Sequence, residues 1–340
     1  MSLRRRIELG GIAMSTTKNI LEIQNLQKWF PVRTGILSFF GEKKYVRAVD
    51  DVSFNIVEGD SLCIVGESGC GKTTLARTIL RLVEPTGGKA FFRGKNIFEK
   101  NREELRELRL KMQIIFQNPF EVLDPRLPVR TLVGESLSIH NLVEDEEELE
   151  KRVLEALEDV RLIPAEDFAR RYTHELSGGQ LQRVCVARSL ILKPELIIAD
   201  EPVSMLDASI RTEVMNLMED LKKEHGLTYI FITHDLAQAR YIGDNIIVMY
   251  LGRIAEMGPM EEVIQNPVHP YTKALVSNVP IPDPDEQRDR IMLPGETPTP
   301  IDLPPGCRFK PRCQEFGESC REEEPVLREV SPGHWVSCWL

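Results

Sequence analysis

Long apolar runs are absent from this chain of 340 residues. The longest ones, such as Ile246 to Leu251, fall far short of the roughly 20 residues that a membrane-spanning helix needs. Aromatic residues are also scarce, at 6% of the chain, so the core must consist mainly of Ile, Leu, Val and Met. A content of 42% apolar and 28% charged residues excludes a disordered, collagen-like or membrane-spanning chain and is typical of a globular protein.

Positively charged residues are fewer than negatively charged ones in this chain. Lys and Arg number 43 against 53 Asp and Glu, which gives a formal net charge of −10. Non-specific nucleic-acid binding depends on basic surface, because the phosphate backbone attracts Lys and Arg. We therefore expect no nucleic acid among the partners of this protein.

The N-terminus does not have the pattern of a secretory leader. Residues 1–13 contain three arginines, but the stretch that follows them is too short and too polar for the apolar core of a leader. We therefore expect residues 1–19 to form a loose tail, with Met14 as an alternative start. We also expect the chain to work in the reducing cytoplasm.

The seven cysteines are unevenly distributed, and four of them lie in the last 34 residues. In a reducing compartment, clustered cysteines indicate metal binding rather than disulfides. The four are separated by five, six and seventeen residues, whereas structural zinc sites usually have two to four residues between paired ligands. The clustered cysteines are Cys307, Cys313, Cys320 and Cys338.

Proline divides the chain into two parts. The length predicts about two domains, and 14 of the 22 prolines lie from Pro259 onward. Such a segment is a poor candidate for regular helices or sheets. We therefore place a boundary near Gly258 and expect residues 259–340 to form an irregular Pro- and Cys-rich extension.

Before that boundary, β-rich runs alternate with segments of helical periodicity. This alternation predicts an α/β fold with a mainly parallel sheet covered on both faces. Residues 119–187 differ, because they are charged, strand-poor and helical, and their acidic run from Glu144 to Glu150 is typical of a solvated helix face. The predicted strands are Ile20–Leu26, Val52–Ile56, Ser61–Val65, Leu196–Ala199, Thr228–Thr233 and Ile246–Met249, and the predicted helices are Lys72–Val83, Gly179–Leu192 and Ser209–Glu224.

A glycine-rich segment with the pattern G-x-x-x-x-G-K-[ST] follows one of these strands and opens a helix. Its glycines let several backbone N–H groups point at one phosphate, and the start of the helix adds partial positive charge. Lys72 is expected to contact the β- and γ-phosphates, and the hydroxyl of Thr73 to contact Mg²⁺. The predicted phosphate-binding residues are Gly66, Ser68, Gly69, Cys70, Gly71, Lys72, Thr73 and Thr74.

Two carboxylates end another buried strand, at Asp200 and Glu201. Acids at the carboxyl end of a parallel strand lie in the crevice where α/β sheets bind ligands. Combined with the glycine-rich loop, this pattern predicts that Asp200 holds Mg²⁺ and that Glu201 polarises an attacking water molecule.

The segment Leu176-Ser-Gly-Gly-Gln180 opens a further helix, with Ser177 as its N-cap and Gly178 and Gly179 offering free N–H groups. It resembles the signature of ATP-binding-cassette (ABC) ATPases. Other marks of that family occur in the same order, namely Gln117 after an apolar strand, Asp207 after Glu201, and His234 after the strand that ends at Thr233.

The resemblance implies a RecA-like core with an antiparallel β subdomain and a helical subdomain, over residues 20–258. It also implies a head-to-tail dimer in which the P-loop of one chain and Ser177 to Gln180 of the other enclose each ATP. By analogy, His234 contacts the γ-phosphate, Gln117 senses it and takes part in Mg²⁺ binding, and Asp207 communicates across the dimer. Phe30 is the expected adenine platform, with Trp29 as the neighbouring candidate.

The C-terminal part resembles the extension of oligopeptide/dipeptide permease ATPases. The similarity is carried by Asn266-Pro-Val-His-Pro-Tyr-Thr-Lys-Ala-Leu275, Leu293-Pro-Gly-Glu-Thr-Pro298 and Gly306-Cys-Arg-Phe-Lys-Pro-Arg-Cys313. It implies an ATP-hydrolysing subunit of a peptide importer on the cytoplasmic face of the membrane. The expected partners are a paralogous ATPase subunit, two transmembrane permease subunits and an extracytoplasmic solute-binding protein.

Several alternatives stay open at this point. The same subunit type serves importers of oligosaccharides or metal chelates, and other cassette ATPases act outside transport. A P-loop kinase would lack Leu176 to Gln180. For the four clustered cysteines, related permease ATPases favour a [4Fe–4S] cluster, whereas zinc and unligated buried thiols are the alternatives.

Overall fold

The computed structural model of the chain describes residues 18–32, 44–279, 290–301, 303 and 305–340. Residues 1–17, most of the expected N-terminal tail, lie outside the described residues, as does the alternative start at Met14. The Pro-rich run at 280–285 and most of the insertion that precedes Tyr45 lie outside them as well.

The strands agree with the sequence wherever a β-rich run is fully buried. Ser61–Val65 and Thr228–Thr233 have the predicted bounds, and every residue in them is buried. The described strands are β1 (Asn19–Pro31), β2 (Tyr45–Val57), β3 (Ser61–Val65), β4 (Gly87–Phe92), β5 (Lys95–Asn96), β6 (Met112–Ile115), β7 (Leu196–Asp200), β8 (Thr228–Thr233), β9 (Asn245–Tyr250), β10 (Arg253–Pro259), β11 (Arg328–Ser331) and β12 (His334–Val336).

Most of the helices lie between strands, and five of them occupy the strand-poor part of the chain between residues 119 and 190. The described α-helices are α1 (Lys72–Ile79), α2 (Arg102–Lys111), α3 (Pro119–Val122), α4 (Val129–Ile139), α5 (Glu146–Asp159), α6 (Ala165–Arg170), α7 (Gly178–Leu190), α8 (Ala208–His225), α9 (Leu236–Ile242), α10 (Met260–Gln265), α11 (Pro270–Ser277) and α12 (Ser319–Glu322).

Two sheets organise the described chain. The first is antiparallel, with the order β2-β1-β4-β5. The second has the order β11-β12-β10-β9-β3-β8-β7-β6, in which the five strands from β9 to β6 are parallel. The P-loop follows β3, Asp200 is the last residue of β7 with Glu201 directly after it, and His234 directly follows β8. Since the carboxyl ends of parallel strands meet at one edge, the topology brings these residues together.

Alternate residues of the parallel strands enter two different cores. Along β3, Cys63 and Val65 pack into a core with the helices of 119–190, whereas Leu62 and Ile64 pack against α1 and the antiparallel sheet. The sheet is therefore covered on both faces, as the sequence predicted. Phe309 of the extension lies in the same core as the helical part.

The C-terminal extension is more regular than predicted. Strand β12 pairs with β10 through Val336 and Glu256, and β11 pairs with β12, so both strands extend the central sheet. The boundary expected near Gly258 falls inside β10. The prediction of an irregular segment rested on its proline content, and strands of only four and three residues are too short to show a recognisable alternation of apolar and polar residues. Their pairing with β10 supplies the backbone hydrogen bonds that stabilise them.

The extension also contains a buried histidine that is expected to make stability depend on pH. The Nδ1 atom of His269 caps α11 by accepting the N–H of Tyr271 at 3.0 Å. Burial lowers the pKa of His269 to about 3, with the nearby positive charge of Lys273 adding to the effect. In the unfolded chain His269 binds a proton below its ordinary pKa of about 6.5, whereas in the folded chain it stays neutral down to about pH 3.

We expect the free energy of unfolding to fall as the pH decreases from 6.5 toward 3, with this residue contributing about 1.4 kcal/mol per pH unit. Denaturant unfolding at several pH values measures the slope. His269→Asn keeps a helix-capping oxygen and should lower the slope of the unfolding free energy against pH by the contribution of one proton. Equal slopes for the variant and the wild type would contradict the assignment.

Candidate nucleotide-binding site

The P-loop, Gly66–Thr73, connects β3 to α1, and two of its glycines are required by its geometry. Gly66 has a φ of +153°, and a Cβ atom there would lie 2.3 Å from the carbonyl oxygen of Met249. Gly71 has a φ of +106°, and a Cβ atom there would lie 2.0 Å from the carbonyl oxygen of Ala48. A side chain at either position would collide with backbone, so the curvature of the loop depends on glycine.

Lys72 begins α1 and lies inside the curve of the P-loop. Its side chain is buried, and Nζ donates to the carbonyl oxygens of Gly66 at 2.7 Å and Glu67 at 3.1 Å. The ammonium group is thus held at the loop by acceptors that a phosphate oxygen can replace, which suits a phosphate-binding cation.

Thr73 and Asp200 meet at the carboxyl edge of the sheet. The Thr73 hydroxyl donates to Oδ1 of Asp200 at 3.1 Å. Burial raises the pKa of Asp200, and the hydrogen bond from Thr73 opposes that rise. A hydroxyl and a carboxylate are the hard oxygen ligands that Mg²⁺ prefers, and a cation would also offset the desolvation of Asp200. These two residues therefore fit the predicted magnesium site.

Glu201 lies at the centre of a second set of contacts. Its Oε2 atom accepts a hydrogen bond from Nε2 of Gln117 at 3.0 Å. Its Oε1 atom lies 3.2 Å from Nδ1 of His234. Glu201 has a φ of +49°, an uncommon value for a residue with a side chain. Three residues that follow three neighbouring strands are thus in contact with one another through Glu201.

The other predicted P-loop residues differ in exposure. Ser68 and Gly69 form the exposed tip of the loop, while Thr74 is partly buried in the first turn of α1. Cys70 is buried, and burial raises the pKa of its thiol. It therefore contributes its backbone to the loop rather than a reactive thiolate.

The signature segment forms the N-terminus of α7. Ser177 caps the helix by accepting the N–H of Gln180 at 3.3 Å, and Gln180 Oε1 accepts the N–H of Ser177 at 3.0 Å. Ser177 and Gly178 are exposed, whereas Gly179 is buried. A Cβ atom on Gly179 would lie 2.4 Å from a methyl group of Ile210, so this glycine permits close helix packing.

Two further predicted site residues lie apart from the Glu201 cluster. Asp207 is exposed just before α8, where its side chain makes no cap hydrogen bond. Phe30 is 37% exposed, with the ammonium group of Lys28 4.7 Å from its ring centroid. The neighbouring Trp29 donates from its indole to Asp50 at 3.0 Å and stacks with Arg47. Both aromatic residues keep a predicted role in adenine binding.

Sequence reasoning missed one set of contacts to the P-loop. Glu67 is an unspecified position of the motif, yet its side chain accepts hydrogen bonds from Arg312 and Thr297 of the extension. Its backbone N–H donates to the hydroxyl of Tyr271 at 2.8 Å. Arg312 and Tyr271 both lie in motifs shared with the permease extension, but nothing in the sequence pairs them with Glu67.

The four clustered cysteines lie near one another. The N–H of Cys307 donates to the carbonyl of Cys320 at 2.9 Å. Burial is the main cause that raises the pKa of Cys307 to about 11, and the other three cysteines contribute to that rise. Within the described ranges, however, no group of three or more His, Cys, Asp or Glu side chains is placed to hold a metal ion. The predicted metal centre therefore has no support from this geometry.

No helix in the described part of the chain combines the length and the apolar character needed to span a membrane.

Two family models match separate parts of the chain. The model of the ABC transporter family matches residues 49–204, which include the P-loop, Gln117, the signature and Glu201. The model of the oligopeptide/dipeptide transporter C-terminal region matches residues 255–320.

The curated relatives agree with both matches over nearly the whole chain. An oligopeptide transport ATP-binding protein of Bacillus subtilis is 47% identical, covering 95% of this chain and 98% of the relative. An oligopeptide transport ATP-binding protein of Salmonella typhimurium is 46% identical, covering 94% and 95%. A dipeptide transport ATP-binding protein of Haemophilus influenzae is 45% identical, covering 94% and 96%.

Solved structures confirm the fold of the cassette. A dimeric ATP-binding cassette in a post-hydrolysis state, bound to ADP and Pi, is 32% identical with a TM-score of 0.62, covering 71% of this chain and 98% of its own. The cbiO1 protein of Clostridium perfringens, part of an ABC transporter complex, is 30% identical with a TM-score of 0.62, covering 73% and 92%. From its motifs, its fold and these relatives, the chain belongs to the ATPase subunits of the ABC transporter family, in the branch with the oligopeptide/dipeptide transporter C-terminal region.

Proposed function

We propose that this protein hydrolyses ATP to drive the import of dipeptides or oligopeptides. The contact of Glu201 with Gln117 and His234, beside the P-loop, carries the ATPase part of the proposal. The names of its relatives carry the peptide part. Residues 20–258 would form the ATPase domain, and residues 259–340 the extension typical of the permease branch.

The chemistry is the attack of water on the γ-phosphoryl group, which depends on positioning and charge neutralisation. The P-loop N–H groups and Lys72 bind the phosphates. Glu201 orients and deprotonates the water. His234, which lies beside Glu201, would contact the γ-phosphate. Thr73, Asp200 and Gln117 would hold Mg²⁺, which neutralises phosphate charge when bound.

A second chain completes the site in this proposal. Ser177 and Gly178 are exposed at the start of α7, so their hydroxyl and N–H groups are available to an ATP bound by another chain. A structural neighbour of this cassette is itself dimeric. We propose a head-to-tail pair with a paralogous ATPase chain, in which Asp207 lies near the partner. Mass analysis of the intact transporter tests this pairing, and a single ATPase species would contradict it.

The remaining proposed partners are two transmembrane permease subunits and an extracytoplasmic solute-binding protein. The ATPase would sit at the cytoplasmic face of the membrane. Co-purification with membrane subunits separates this role from that of a cassette ATPase outside transport. The ligand that copurifies with the solute-binding protein then identifies the cargo. A saccharide or a metal chelate would contradict peptide import and leave the ATPase proposal intact.

A separate proposal concerns Cys307, Cys313, Cys320 and Cys338, which we assign to a [4Fe–4S] cluster. Four thiols with no other ligand type suit such a cluster. Because each thiolate would raise the pKa of Cys307, a positively charged centre among them would stabilise their ionised forms. The cluster, when bound, would cross-link the extension.

Anaerobically purified protein is expected to be brown and to contain about four irons and four sulfides per chain. Cys307→Ser should lose the iron and make the extension more sensitive to protease, with ATP binding retained. Cys185→Ser, which changes a buried thiol of α7, is the matched control and should keep the iron. Stoichiometric zinc without sulfide, or no metal at all, would show that the assignment is wrong.

A further inference from the structure

Three segments of the C-terminal extension converge on a single P-loop residue, Glu67. Arg312 makes a two-pronged contact with its carboxylate, at 2.6 Å from Nη1 to Oε2 and 3.1 Å from Nη2 to Oε1. The hydroxyl of Thr297 donates to the same carboxylate. The hydroxyl of Tyr271 accepts the backbone N–H of Glu67 at 2.8 Å.

Glu67 would disfavour nucleotide binding if it stood alone. It is the second residue of a loop built to surround phosphate, and its negative charge repels a triphosphate at short range. Burial raises the pKa of Glu67, but the hydrogen bonds from Arg312 and Thr297, together with the positive charges of Arg312 and Lys72, lower the pKa overall. The carboxylate is therefore ionised, and Arg312 is the cation that neutralises it.

The position of Glu67 also affects Lys72. The carbonyl oxygen of Glu67 accepts a hydrogen bond from Lys72 Nζ at 3.1 Å. A shift of Glu67 would therefore change the backbone path of the P-loop and displace the ammonium group of Lys72.

Arg312 is itself fixed before any ligand arrives. The residue is 6% exposed, and its Nε donates to the carbonyl oxygen of Pro294 at 3.1 Å. Its guanidinium carbon lies 6.0 Å from the ring centroid of Tyr250, which packs against Tyr271 and Phe309. A planar fork held in this way provides a preorganised partner for one carboxylate.

A different arginine of the same segment anchors the extension to the rest of the protein. Arg308 forms a buried ion pair with Asp50 and donates to the carbonyl oxygen of Leu251. Arg312 pairs instead with Glu67 of the P-loop. We propose that Arg312 is a positioning residue for nucleotide binding, which neutralises and holds Glu67 so that the C-terminal extension sets the affinity of the P-loop for ATP.

A double-mutant cycle tests this inference, which rests on the proposed binding of ATP at the P-loop. Arg312→Gln leaves the charge of Glu67 unpaired and is expected to weaken Mg-ATP binding by the full-length chain about tenfold. Glu67→Gln alone should change the affinity by less than about threefold. The double variant should bind ATP more tightly than Arg312→Gln, because the unpaired charge is gone. Turnover at saturating ATP should change by less than about twofold, since Arg312 does not contact the reacting atoms.

Lys310→Gln is the matched control, because it removes a positive charge two residues away whose Nζ, among the described residues, donates to backbone carbonyls of the extension. It should bind ATP like the wild type. Wild-type affinity in Arg312→Gln, or additive effects in the cycle, would overturn the inference while leaving the proposed function in place. Failure of the wild type to bind ATP would overturn both.

Should Arg312→Gln fail to fold, Arg312→Lys replaces it in the cycle. Lysine keeps the charge but cannot make the two-pronged contact. A weakened affinity for ATP supports the holding of Glu67 by the two-pronged contact, and wild-type affinity overturns that holding role and leaves only the neutralisation of its charge.

Discussion

Replacement of Glu201 by glutamine is expected to lower ATP turnover by about 10²–10⁴-fold while ATP binding survives. The amide preserves the size of the side chain and can still contact Gln117 and His234, which lie 3.0 and 3.2 Å from the carboxylate oxygens. It cannot accept a proton from the attacking water. Phosphate release measures turnover, and equilibrium binding of ATP measures affinity.

Mixed with the proposed paralogous chain, the same variant should accumulate as an ATP-bound dimer, because hydrolysis would be the step that lets the two chains separate. Size-exclusion chromatography with and without ATP detects that dimer. Glu224→Gln changes an exposed carboxylate near the end of α8 and serves as the control, with turnover expected to match the wild type. Near-normal turnover in Glu201→Gln would show that Glu201 is not the general base.

The residues at the carboxyl edge of the sheet could be placed from the sequence because the P-loop and His234 each follow a strand whose sequence is distinctive. Strands β3 and β8 are fully buried β-rich runs, so their ends could be located to the residue. Once the strands are parallel neighbours, the residues that follow them must share one edge. The contact of Gln117 with Glu201 joins residues 84 positions apart, and this topology accounts for it.

Other features depend on contacts that leave no local pattern. Strand β1 runs to Pro31 rather than Leu26, because irregularities in its pairing with β2 interrupt the alternation that would mark it as one strand. Helix α1 ends at Ile79 rather than Val83, since Arg81 adopts a φ of +50°. The pairing of Glu67 with Arg312 spans 245 positions and joins two loops, so neither periodicity nor strand order indicates it.

Replacement of Lys72 by methionine is expected to weaken ATP binding by about 10²-fold or more, since charge-assisted hydrogen bonds to two phosphates are lost together. In the described structure, its ammonium group is held by the carbonyl oxygens of Gly66 and Glu67, within reach of any phosphate that the loop encloses. Equilibrium binding of Mg-ATP to the full-length chain measures the loss.

Methionine suits this test because Lys72 is 5% exposed, and an unbranched apolar side chain of similar length can stay buried without an unpaired charge. The variant should therefore fold, with a loss of stability of about 1 kcal/mol for the two carbonyls left without their donor. Lys95→Met, at an exposed position, controls for the loss of one positive charge. The loss in Lys72→Met should exceed that in Arg312→Gln, because the proposed role of Lys72 is direct contact with the phosphates, whereas Arg312 would act through Glu67. A larger loss of affinity in Arg312→Gln than in Lys72→Met would mean that ATP binding depends more on the contact between Arg312 and Glu67 than on the ammonium group of Lys72.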